Sequence, residues 1–137
     1  MAALIGLASC DKAEDLVYEN GSYKAETEEY SYGWKTFMEI TIVDDVQTVV
    51  VFDAMNEDGG LKSETTSETY PMDPHPTVWI PELEAQYMAV DIKSYSTVDG
   101  ITGATHASHD AEALFELMLD AAKEGDTSVQ ILPTPAE

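Results

Sequence analysis

The chain has 137 residues, 44% of them hydrophobic, and its 27 acidic residues against six basic ones give a formal charge of −21. That length fits one domain with an ordinary core, and the hydrophobic share excludes wholesale disorder. The charge disfavours nucleic acid and anionic lipid as partners, because their phosphates would be repelled. It suits steering toward cationic partners, and equally a solvated face selected for solubility or a salty habitat.

One cysteine rules out an internal disulfide. Cys10 follows Leu7-Ala8-Ser9, and the four residues resemble a bacterial lipobox at the end of a short apolar run. No basic n-region precedes it, so residues 1–20 read as a truncated lipoprotein signal remnant followed by an acidic tether over 11–20. A lipidated Cys10 would anchor the chain to the extracytoplasmic face of a cell membrane. The bland alternative is a short apolar terminus with a chance cysteine. No other stretch is long and apolar enough to span a bilayer. The tether would reach about 35 Å at most.

Folding is expected from Gly21 to Gly125. Residues 22–28 suit a first strand. Over 34–43 the residues alternate, with Trp34, Met38, Ile40 and Ile42 on one face and Lys35, Glu39 and Thr41 on the other. Residues 46–55 form a second strong strand, with Val49, Val50, Val51 and Phe52 dense enough for burial on both faces. Asp44-Asp45 between them has the length of a tight hairpin turn, although no glycine is present to favour positive φ. Asp58-Gly59-Gly60 is a turn signal. Residues 62–78 read as a loop, since Pro71, Pro74 and Pro76 oppose a helix. Pro81 suits the first position of a helix, with Glu82 and Glu84 in its first turn and Leu83, Tyr87 and Val90 inward. A last helix follows Thr105, with Ala107, Ala111, Leu114, Phe115, Met118, Ala121 and Ala122 as its core stripe and Gly125 as its stop. Residues 126–137 are a tail or short edge segment. The fold class is α+β: a single domain with an antiparallel sheet and two or more packed helices.

Asp99-Gly100-Ile101-Thr102-Gly103-Ala104-Thr105 stands immediately before that helix. A helix N-terminus offers unpaired N–H groups and a partial positive charge, which suits a phosphate. Gly103 and Ala104 carry no side chain that would block one. The plain reading is a loop in which Thr105 or Ser108 caps the helix with no cofactor. The stretch resembles the attachment signal Asp-x-x-(Ser/Thr)-Gly-Ala-Thr of proteins that carry FMN covalently. Gly33-Trp34-Lys35 and the run from Asn56 to Ser63 (Asn-Glu-Asp-Gly-Gly-Leu-Lys-Ser) extend the likeness over about 21–125, to the small FMN-binding domain family in its lipoprotein branch. The family's hairpin turn is commonly Asp-Gly-Lys, where this chain has Asp44-Asp45-Val46.

The resemblance implies FMN in phosphoester linkage to Thr105. Asp99, Thr102, Gly103, Ala104 and Ser108 are its context. It also implies a separate magnesium-dependent flavin transferase that takes FMN from FAD. The chain would then be an electron carrier without a substrate of its own, serving a membrane redox complex or an extracellular acceptor. Trp34 or Tyr32 could stack on the flavin ring, or simply pack. Lys62 could neutralise its charge, or be a plain surface lysine. His106 and His109 lack a third ligand with metal spacing, so no metal is expected. Two rivals stand beside the carrier: a ligand-binding surface lipoprotein without flavin, and a small reductase holding FMN non-covalently.

Overall fold

A computed structural model describes residues 16–95 and 98–133. Cys10, and with it the lipidation reading, lies outside the described residues. Strands β1 (Gly21–Thr27), β2 (Trp34–Val43) and β3 (Val46–Asn56) form an antiparallel meander. Helices α1 (Pro76–Met88) and α2 (Thr105–Glu124) follow, and β4 (Gln130–Leu132) closes the sheet in the order β3-β2-β1-β4. The expected α+β domain is therefore present, with a mostly antiparallel sheet. Strand β4 is the short edge segment, one of the two expectations for residues 126–137, and it runs parallel to β1.

Alternation along β2 sends Met38, Ile40 and Ile42 into the core, where they meet Leu83 and Tyr87 of α1 and Leu114, Phe115 and Met118 of α2. The dense valines of β3 are not buried on both faces. Val50 and Phe52 point inward, whereas Val46 and Val49 are exposed, because both helices cover the same side of the sheet. Gly125 ends α2 as expected, at φ 71°, with its N–H donating to Ala122 O and that of Asp126 to Ala121 O.

Two boundaries moved. Helix α1 opens at Pro76, not at Pro81. Starting one turn and a half earlier lets the chain bury Trp79 and Ile80, both 2% exposed. Pro81 then sits inside the helix on its exposed side. The apolar burial offsets the hydrogen bond that proline cannot donate. His75 caps the helix, its ring accepting from Thr77 N at 3.2 Å. The start of the domain also moved: the tether expected over 11–20 does not hold for its last residues. Tyr18 is buried and donates its hydroxyl to Ile92 O at 2.9 Å. The N–H groups of Val17 and Tyr18 both donate to the Asp45 carboxylate, at 2.8 Å each.

The hairpin turn that lacked glycine is made by two aspartates in the left-handed region, Asp44 at φ 52° and Asp45 at φ 65°. Their short polar side chains tolerate that region, and paired positive φ is what a two-residue hairpin turn demands.

Helix α1 is tied to β3 through Glu84, whose carboxylate accepts from Phe52 N at 2.9 Å. Burial raises the Glu84 pKa above its ordinary value and the Phe52 N–H opposes it, with Asp53 raising it further. The folded state then holds this proton to higher pH than the unfolded chain, so this group's contribution to stability falls as pH rises from about 4.5 through the folded pKa. Glu84→Gln keeps an acceptor for Phe52 N and cannot ionise. Denaturant unfolding at pH 4 and pH 7 is expected to show the variant gaining on the wild type at the higher pH; a gap independent of pH would refute this.

Candidate functional site

The site forms where three segments meet, and each is held by a specific device. The first is a tight turn, Ser31-Tyr32-Gly33-Trp34, closed by hydrogen bonds in both directions between Ser31 and Trp34. Tyr32 at φ 54° and Gly33 at φ 89° give it the primed hairpin geometry, and leave the Tyr32 side chain 99% exposed.

The second is a 3-10 turn, Lys62–Glu64. The Asn56–Gly60 turn returns the chain along β3, with Asn56 Oδ1 accepting from Asp58 N and Gly60 N. Asp53 then grips Ser63 through its backbone N–H and its hydroxyl. Held in this way, Lys62 places its ammonium 5.3 Å from the Trp34 ring centre and 5.0 Å from that of Tyr70. The two rings meet edge to face at 5.9 Å. Such cation–π contacts contribute about 0.5–2 kcal/mol each.

The third is the loop before α2. Gln86 of α1 brackets the Gly100 peptide, its Nε2 donating to Gly100 O at 3.0 Å and its Oε1 accepting from Gly100 N at 2.9 Å. Ser108 Oγ accepts from Ile101 N and donates to Ala104 O. Gly103 lies at φ 90°, and a Cβ there would sit 2.7 Å from Pro74 Cδ.

Together these segments enclose a cleft of about 270 Å³ lined by Trp34, Tyr70, Lys62, Trp79, Gly103, Ala104 and Thr105 among others. The Trp79 indole N–H is buried on this wall with no hydrogen-bond partner among the described residues. A second cleft, about 310 Å³ and polar, is lined by Asp99, Thr102, Ser108, His109 and Glu112. Thr105 borders both. The structure thus divides the candidate residues. Trp34, Lys62, Gly103 and Ala104 lie on the aromatic side, Asp99, Thr102 and Ser108 on the polar side, and exposed Thr105 lies between them.

Neither Thr105 nor Ser108 caps α2. The N-cap is Ala104, which has no side chain to do so, and the first turn carries no acidic residue. Alanine is among the poorest N-caps. In a chain of 27 acidic residues, this helix start has no side-chain cap among the described residues and no acidic residue in its first turn to meet its dipole.

Sequence reasoning missed Tyr70, Trp79, Gln86 and Asp110. Asp110 carried a usable signal: it stands four residues after His106, on the same helix face. Its carboxylate lines the aromatic cleft and lies 3.7 Å from His106 Nε2. Burial pushes the Asp110 carboxyl above the usual aspartate range, against the pull of His106, Lys62 and His109. No cluster of metal-binding side chains occurs among the described residues.

No protein-family model matches the chain, and no curated protein matches it. Among solved structures it is similar to the crystal structure of the CPE2226 protein from Clostridium perfringens, at 27% identity and a TM-score of 0.76. The likeness covers 86% of this chain and 99% of that one, so the same arrangement of sheet and helices recurs there as a unit.

Proposed function

We propose that this protein is an electron carrier with FMN joined through its phosphate to Thr105 Oγ1. The observation that carries the reading is the start of α2. An exposed threonine hydroxyl stands on a helix N-terminus that no side chain caps, at the mouth of an aromatic cleft. A phosphate there would accept the free N–H groups and meet the positive end of the dipole. The residues present fit the rest of the group. Trp34 and Tyr70 offer aromatic surface, and the Lys62 ammonium offers charge. FMN would supply reversible electron uptake. The chain's part is to seat the ring, hold the phosphate and exclude water.

A covalent bond suits a carrier outside the cell. A dissociable cofactor is occupied only according to its free concentration, and that concentration is low there. The acidic surface would steer a basic redox partner by long-range attraction. Lipidation at Cys10 would hold the domain on the extracytoplasmic face of the membrane, near a membrane redox complex or facing an extracellular acceptor.

Intact-mass spectrometry after incubation with a flavin transferase, FAD and magnesium tests this. The expected result is a gain of one FMN less one water, absent from Thr105→Ala. No gain, with the transferase active on another substrate, would refute the covalent reading. Flavin that binds Thr105→Ala and leaves on denaturation would instead favour the small non-covalent reductase.

A further inference from the structure

A protein with 27 acidic residues admits one carboxylate to the aromatic cleft among the described residues that line it: Asp110. The same residue, with His106 and Trp34, also borders a third cleft of about 490 Å³ that reaches Tyr30 and Leu132. Asp110 is therefore open to two compartments. A ring filling the first would leave it reachable from the second. His106 extends the connection outward, with its imidazole 3.7 Å from Asp110 Oδ2 and its side chain 83% exposed. A small rotation of that exposed ring closes such a gap.

The geometry points to Asp110 and His106, which both line the aromatic cleft and the third cleft, as a proton relay between bulk water and the aromatic cleft. This rests on the flavin reading, since it is the arrival of electrons in the cleft that calls for protons. Electrons come from a reduced redox partner. Asp110 Oδ2 would give its proton to the flavin ring held in the cleft, which gains basicity as it takes up those electrons, and Asp110 is left as a carboxylate. The carboxylate regains a proton from His106 Nε2, and the imidazole regains one from bulk water. For each proton delivered, one is drawn from solvent, and neither residue is changed over the cycle.

The surroundings suit the task. On its own helix Asp110 is faced by His106 and His109, and from the 3-10 turn by Lys62. The strand side contributes Trp34 and Thr36, which carry no charge, and the third cleft contributes Glu29. Burial favours the protonated carboxyl while the cations favour the carboxylate, so neither form is locked in. His106, with access to solvent, is placed to return a proton to it.

The test has two parts. In the flavin-free protein, the Asp110 carboxyl is titrated by NMR, beside His106→Gln. The relay expects a midpoint above those of the exposed aspartates, and one that moves in the variant. An ordinary midpoint would overturn the relay whether or not flavin attaches. In the full chain carrying one FMN, as confirmed by intact mass, reduction by dithionite is followed by stopped flow across pH in H2O and D2O. Asp110→Asn is expected to slow it about tenfold or more and to abolish its pH dependence, and Asp110→Glu to restore most of the rate. His106→Gln should fall between. An unchanged rate and pH profile in Asp110→Asn would overturn the relay alone. No mass gain would overturn the flavin reading, and the relay's role with it.

Discussion

Gly103→Ala should destabilise the protein by about 2–6 kcal/mol and disable the proposed attachment site without touching Thr105. Two costs act at this position. The backbone lies at φ 90°, where any side chain is strained, for about 1–3 kcal/mol. The new Cβ would also sit 2.7 Å from Pro74 Cδ, well inside contact distance, for about 1–3 kcal/mol more. The neighbour has little room to yield, because Pro74 stands just ahead of the capped start of α1. Relief must come from the loop, which then pulls Ala104 and Thr105 off the first turn of α2. Urea unfolding and the initial rate of FMN attachment measure the two consequences. A variant with wild-type midpoint and wild-type labelling would show that the close approach to Pro74 is unimportant. Gly100→Ala is the milder control: its φ is also positive, at 79°, but its nearest neighbour is the Ser108 side chain at 3.1 Å.

Asp45→Ala is expected to cost about 2–5 kcal/mol, more than a hairpin-turn residue usually would. Its carboxylate is the acceptor for Val17 N and Tyr18 N, and Asp45 itself is only 6% exposed. Removing it leaves two donors unsatisfied, one of them buried, at about 1–3 kcal/mol for a buried group. Alanine at φ 65° adds about 1–2 kcal/mol. Asp45→Gly removes the second cost and keeps the first, so the difference between the two variants isolates backbone strain. The segment then loses its hold on the core, and the Tyr18 hydroxyl loses Ile92 O. Hydrogen exchange at the Tyr18 amide should rise in both variants before global unfolding. If exchange there is unchanged, residues 17–18 are held by something other than Asp45. The nearby Lys93 ammonium, 3.9 Å from the same carboxylate and half exposed, should matter little.

These two variants show how local sequence and tertiary contact divide the labour. Periodicity alone placed β2, the core stripe of α2 and its glycine stop, because each needs only neighbours in sequence. It misjudged β3, since alternation reports which residues can be buried and not which face the helices cover. It placed the start of α1 at the wrong proline: a local rule favours proline at a first turn, and two candidates satisfied it. Burial of Trp79 and Ile80 made the choice. The acidic run before Gly21 read as solvated until Asp45, 27 residues away from Tyr18, supplied the acceptor that seats it.

The stretch proposed to carry the cofactor, Asp99 to Thr105, stood out in the sequence because its seven residues are consecutive. Trp34 and Lys62 were candidates from the sequence, but Tyr70 was not, and the meeting of the three could not be read there: they come from three separate segments, and the Asn56–Gly60 turn and the grip of Asp53 on Ser63 bring the lysine over both rings. By itself the sequence determined the fold class, the faces of β2 and α2, and a candidate residue, Thr105, for the proposed chemistry. The tertiary structure decided that this residue borders two clefts of opposite character, that its helix is left uncapped, and that one half-buried carboxylate stands behind it. Those are consequences of which distant side chains fill the same space, and no local pattern encodes them.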